Sequence, residues 1–167
     1  YEEARSLAIK LNEYNTRRRQ EEDAICKVAM IEAERHAADP AFVITGDDWN
    51  QGIIGIVASR ILEHYNKPVL VLCRDGENYK GSGRSIEGFD LHAGLARCTD
   101  DLLSFGGHRM AAGIRISPEK LEAFRDHFLD VVRDALGPEP KAPEQYIDFD
   151  LDFRAASDFT FLKELDL

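Results

Sequence analysis

Cysteine is scarce in this chain of 167 residues, and Cys26, Cys73 and Cys98 are an odd set with no C-x-x-C spacing. That excludes a disulfide framework and a zinc-ribbon signature, and it fits buried free thiols in a reducing compartment. Long apolar runs are missing too: none approaches the about 18 residues of a membrane span, and the amino end is charged and helix-like rather than signal-like. The expectation is a cytoplasmic chain without membrane contact. Basic charge is in deficit, with 21 Lys and Arg against 31 Asp and Glu for a net charge of −10, which argues against a non-specific polyanion binder. The deficit is uneven. Residues 1–48 carry 7 basic and 11 acidic side chains, residues 118–167 carry 6 and 13, but residues 49–117 carry 8 and 7. A local anion site in the middle stays open. There is no internal repeat.

Proline and glycine are absent from the first 38 residues, where Leu7, Leu11 and Tyr14, then Ala24, Ile25, Val28, Ala29 and Ile31, fall at helical spacing. With Asn15 and Thr16 able to cap a second helix, the segment reads as one bent helix or two joined ones, roughly 55 Å long at about 1.5 Å per residue. So long a helix usually connects two bodies, and a chain that opens on Tyr1 inside it is expected to be part of a longer protein. Arg17, Arg18 and Arg19 are followed at once by Gln20, Glu21, Glu22 and Asp23, the pattern of a solvated face.

Asp39-Pro40 ends that helix, and 42–45 reads as a short buried strand. Trp49-Asn50-Gln51-Gly52 then leads into the apolar helix 53–62, with Asn50 as N-cap and an amino end suited to an anion. The run 68–73 is the pattern of a central strand covered on both faces. Residues 91–103 read as a helix capped by Asp90, 111–116 as a strand, and the stretch after Ser117-Pro118 as an amphipathic helix covering the sheet. Gly137 to Pro143 is the clearest linker, and beyond it Ile147, Phe149, Leu151 and Phe153 alternate with Asp148, Asp150 and Asp152 as a half-buried strand. The three aspartates lack the glycine and closing glutamate of a Ca²⁺ loop, so a solvated face is the reading. A short helix at 158–165 completes the pattern.

Two glycine-rich elements carry the chemistry. In Gly81-Ser82-Gly83-Arg84-Ser85, backbone N–H groups, two hydroxyls and a guanidinium fork match the oxygens of a phosphate. In Gly106-Gly107-His108, followed by Ala111-Ala112-Gly113, glycines permit a close approach, an imidazole ends the turn and small residues leave the way clear. Each also fits an ordinary tight turn. The candidate phosphate-binding residues are therefore Ser82, Gly83, Arg84, Ser85, Gly106, Gly107 and His108, with His108 as a supporting catalytic group.

Taken in order, the Trp49 to Arg60 stretch, Gly81 to Ser85, and Gly106-Gly107-His108 with Ala111-Ala112-Gly113 resemble the DHHA1 domain of DHH-superfamily phosphoesterases, most closely the RecJ family of single-strand-specific 5′ to 3′ DNA exonucleases. The resemblance covers most of the chain and is strongest in the middle. One position departs from it: Asn50 stands where many relatives have histidine. It implies an α/β fold with a mixed sheet flanked by helices. Residues 1–38 would be a connector from a DHH domain, 39–137 the DHHA1 substrate-binding domain, 138–143 a linker and 144–167 the start of an oligonucleotide-binding-fold, β-rich domain. It further implies Mn²⁺ or Mg²⁺ held by the DHH domain, whose Asp-His-His motif does not occur here, so that this chain binds no metal and is inactive alone. The implied substrate is single-stranded DNA in repair and recombination, with a single-strand-binding protein and a helicase as candidate partners. Two alternatives stand beside it: a DHH/DHHA1 phosphodiesterase for oligonucleotides or cyclic dinucleotides, and a non-catalytic nucleic-acid-binding module.

Overall fold

The computed structural model describes residues 2–137, with Lys163 the one residue described beyond them. The linker, the aspartate-bearing strand and the final short helix expected after Gly137 lie outside these residues. Within them the fold is α/β, a five-stranded mixed sheet in the order β1-β2-β3-β5-β4 flanked by helices.

Helix α1 runs unbroken over Glu2–Arg35, so Asn15 and Thr16 do not divide it. The Thr16 hydroxyl instead donates back to the Asn12 carbonyl, a bond that leaves the helix continuous. At ~1.5 Å per residue α1 is about 51 Å long. Its first twenty described residues are almost all exposed. Glu22 is its first buried residue, and Ile25, Cys26, Ala29 and Ala33 follow at helical spacing. Glu22 is held there by Arg18 on its own helix and by Arg60 on α2 (Ile54–Tyr65). The charge of Glu22, with the hydrogen bond that Arg60 donates to Asp23, pushes the Arg60 guanidinium pKa further up.

Strand β1 (Phe42–Gly46) pairs in parallel with β2 (Val69–Asp75), and α2 is the crossover between them. A parallel pair with its crossover is covered on both faces, and Val69 to Cys73 are accordingly 0 % exposed. The α2 side of this half is filled by Ile25, Ala29, Phe42, Ile44, Val57, Ile61, Val69 and Val71. The other side packs Leu70 and Leu72 against α3 (Leu91–Arg97) and α4 (Leu121–Leu136), where Phe124 and Phe128 stack at 5.7 Å. Strand β3 (Asn78–Arg84) returns antiparallel along β2, followed by β5 (Ala111–Ile116) and, at the edge, β4 (Ser104–Gly107).

The structure corrects three local expectations. Gly81 to Arg84 lie in a central strand, not a turn, and Gly106 and Gly107 close the edge strand β4. The helix expected over 91–103 stops at Arg97, where the Thr99 hydroxyl donates to the Ala96 carbonyl and a 3₁₀ turn follows. Asn50 is not the N-cap of α2: that position is Ile53, without a side-chain cap, while the Asn50 side chain accepts from the Gly52 N–H and its carbonyl from Ile53 and Ile54.

Candidate functional site: an open sheet face

Side chains alternate along a strand, so β3 sends Gly81 and Gly83 to the α4 side and Lys80, Ser82 and Arg84 to the α2 side. Gly83 is required on the packed side, since a Cβ there would lie 2.6 Å from Leu70 Cδ2 and 2.9 Å from Leu91 Cδ2. On the α2 side, the Arg84 guanidinium donates through Nη1 to Ser82 Oγ at 3.2 Å and to the Gly83 carbonyl at 2.8 Å. The first turn of α2 abuts this pair: a Cβ on Gly55 would sit 3.1 Å from Ser82 Oγ and 3.2 Å from Arg84 Nη2. That turn carries no acidic side chain, so the positive end of the helix dipole adds to the guanidinium. Arg84 ion-pairs with no carboxylate among the described residues; its bonds go to neutral oxygens.

The registers extend this face across the sheet. Ser82 is opposite Gly113, and Gly113 is opposite Gly106; one step along, Arg84 is opposite Ala111. Gly106 and Gly113 are exposed and a Cβ on Gly106 would touch nothing within 4 Å. No helix crosses here among the described residues, because β3, β5 and β4 are antiparallel neighbours whose connections stay on the α3 side or at the ends. His108 is exposed in the β4–β5 turn, at the same end of the sheet as Arg84, and its N–H donates to the Ala111 carbonyl at 2.7 Å. Gly107 shapes that turn with φ +146°, and a Cβ there would lie 2.4 Å from the Ala111 carbonyl oxygen. The turn is tied down by Ser85 N–H to the Met110 carbonyl and Leu91 N–H to the Arg109 carbonyl, both at 2.9 Å.

Ser82, Arg84, Gly106 and His108 are thus brought to one face and end of the sheet. Gly83 and Gly107 serve packing and turn geometry beside them. Ser85 stands apart: it is 3 % exposed and its hydroxyl donates to the Phe89 carbonyl at 2.8 Å, which shapes the chain leaving β3. Gly55 and Gly113 join the group from elements distant in sequence. No cluster of three or more His, Cys, Asp or Glu side chains that could hold a metal occurs among the described residues. No described helix is long and apolar enough to cross a membrane. Chemically the face offers a guanidinium with no carboxylate partner among the described residues, a hydroxyl, a helix amino end and bare backbone, a set suited to an anionic oxygen.

The DHHA1 domain family matches residues 38–134. Among curated proteins, the chain is 35% identical over 149 residues to the single-stranded-DNA-specific exonuclease RecJ of Bacillus subtilis, covering 87% of this chain and 19% of the relative. It is 34% identical over 146 residues to the RecJ of Escherichia coli, covering 81% and 25%. Among solved structures, exonuclease RecJ bound to manganese superposes with a TM-score of 0.71 at 31% identity, over 78% of this chain and 32% of that one. RecJ of Thermus thermophilus in complex with Mg²⁺ gives 0.73 at 30%, over 79% and 20%. The chain spans about a fifth to a quarter of the length of these curated relatives. On its matched residues and its five-stranded sheet, the chain belongs to the DHHA1 domain family, in the form that domain takes in RecJ-like proteins.

Proposed function

We propose that this chain is the substrate-clamping part of a RecJ-like 5′ to 3′ single-stranded-DNA exonuclease that acts in DNA repair and recombination. The observation that carries the reading is the Arg84 and Ser82 pair against Gly55, set on a sheet face that Gly106 and Gly113 leave bare. Arg84 holds a backbone phosphate through charge-assisted hydrogen bonds, Ser82 donates its hydroxyl proton to the same group, and His108 donates to a phosphate oxygen near the cut. Gly106 lets the strand approach, and Gly107 gives the turn the form that carries His108. Ser85 supports the site through the Phe89 carbonyl rather than by touching the ligand.

In this reading α1 is the connector that holds the two walls of a cleft in register, residues 39–137 are the binding domain, 138–143 are a linker and 144–167 begin an oligonucleotide-binding-fold domain. The hydrolytic metal, Mn²⁺ or Mg²⁺, belongs to a DHH domain outside this sequence and supplies activated water for phosphodiester attack. The chain alone is then inactive. A cytoplasmic location and partnership with a single-strand-binding protein and a helicase belong to the same reading.

In the intact protein, Arg84→Ala lowers the rate or the affinity on 5′-phosphorylated single strands by about 10², and His108→Ala by a similar factor. Normal digestion by both variants would sink the assignment. Faster turnover of dinucleotides than of long single strands would move it to the oligonucleotide phosphodiesterases.

A further inference from the structure

The exposed face continues past Arg84. On the α2 side of β2, β3, β5 and β4 the charged residues are Asp75, Lys80, Arg84 and Arg115, three cations and one carboxylate in a chain of net charge −10. Lys80 and Arg115 are exposed and directly opposite each other on β3 and β5. Like charges at opposed positions destabilise a sheet, so the pair needs a reason. Asp75 neutralises only one of the two. Its Oδ2 takes Arg115 at 3.2 Å and its Oδ1 takes the Gln51 amide at 3.0 Å, which leaves Lys80 bonded to the neutral Gln51 Oε1 at 3.3 Å. Lys80 ion-pairs with no carboxylate among the described residues. Ser104, exposed on β4, is opposite Arg115 and brings a hydroxyl to the same place. Between this group and Arg84 the face holds Ser82, Gly113 and Gly106, so no bulky side chain interrupts it.

We propose that Lys80, Arg115 and Ser104 form a second anion subsite, which takes a backbone phosphate of the single strand whose end is held at Arg84. The subsite rests on the reading given under Proposed function. Four residues along β3 separate Lys80 from Arg84, about 13 Å at ~3.3 Å each. That is about four stacked nucleotides at ~3.4 Å of rise, and fewer if the strand is stretched. The second subsite therefore reads length: a dinucleotide held at Arg84 does not reach it, and a longer strand does.

The test is binding by the intact protein, under chelator so that no strand is cut, of a 5′-phosphorylated dinucleotide and of a single strand of about 12 nucleotides across a salt series. Lys80→Gln with Arg115→Gln weakens the longer strand by about 10-fold and lowers its salt slope by about 0.7, the value for one phosphate contact on a single strand. The dinucleotide weakens by less than about 2-fold. Asp75→Asn keeps both cations, removes the competing carboxylate, and tightens the longer strand. An unchanged slope in the double variant, an equal loss on both probes, or weaker binding by Asp75→Asn overturns the subsite. Arg84→Ala in the same series separates the two ideas: loss on both probes keeps the parent reading whatever the fate of the second subsite, and no loss on either removes both.

Discussion

One sheet serves two purposes here, and its two ends differ in what covers them. Around β1 and β2 every position from Val69 to Cys73 is 0 % exposed, with α1 and α2 on one face and α3 and α4 on the other. Along β5 burial alternates, so that Ala112, Ile114 and Ile116 are buried while Gly113 and Arg115 are exposed. The backbone is the same; the connections differ. A parallel pair requires a crossover, and α2 in crossing covers its face, whereas antiparallel strands joined by turns need nothing across theirs. Among the described residues an open face is therefore left on the antiparallel half, and Lys80 and Arg84, which ion-pair with no carboxylate there, stand on it beside bare backbone. The helix that covers one half also supplies the border of the other, through Gly55 in its first turn.

Damage confined to the packed side of the sheet tests this division most severely. Phe124 is 0 % exposed and stacked on Phe128. Phe124→Ala costs about 3–5 kcal/mol through lost burial and a residual cavity, seen as a fall in the denaturant midpoint. If Arg84 binds phosphate as proposed, the molecules that remain folded keep that affinity, because Phe124 lies in the core cluster on the other side of the sheet. A variant with the same stability loss and equally weakened binding would show that the faces are coupled rather than divided.

What the linear sequence reveals follows the same division. The covered half was legible: a continuous apolar run at 68–73 signals a strand buried on both sides, and β2 is Val69–Asp75. Helix-spaced apolar residues likewise announced α1 and α4. The open half was legible in its chemistry but not in its form. Glycine is depleted in strands, so Gly81 and Gly83 fit a turn as well as a phosphate site; Leu70, Leu72, Leu91 and Ile114, which press against those positions, come from three other elements. Lys80 and Arg115 are 35 positions apart in the sequence, and only the register makes them neighbours. A period of two counted back from Arg84 through Ser82 reaches Lys80, a signal present in the sequence once the segment is known to be a strand. Ser85 shows the converse, since its type fits a phosphate ligand while its burial and its bond to Phe89 give it to the scaffold.

Two adjacent glycines repeat the division at a finer scale. Gly107 has φ +146° and a Cβ would strike the Ala111 carbonyl and Ala112, so Gly107→Ala costs about 1–3 kcal/mol of stability. Gly106 has nothing within 4 Å of its would-be Cβ, so Gly106→Ala changes stability by no more than about 0.5 kcal/mol. Its added methyl stands instead in the floor of the face and, under the proposed function, weakens single-strand binding. Thermal unfolding and strand binding measured on both variants should therefore rank them in opposite order. The same rank in both assays would mean that Gly106 serves the fold and not the ligand.

The weakest effect belongs to the covered side and is read by pH. Burial pushes the Cys98 thiol from 9.0 up to about 11, with Asp101 acting in the same direction and Arg97 against it. A group whose folded pKa is raised stabilises fully below its unfolded pKa and loses that contribution as pH rises through the folded one, because the buried thiol resists a charge that the unfolded chain accepts. The loss sets in near pH 9 and grows as pH rises toward about 11. Cys98→Ala removes this slope while lowering stability at neutral pH through the lost sulfur contacts. Lys80→Gln, on the open face, leaves the slope in place. Parallel stability profiles for the parent and Cys98→Ala between about pH 8 and pH 10.5 would show that the thiol is not held neutral by its burial.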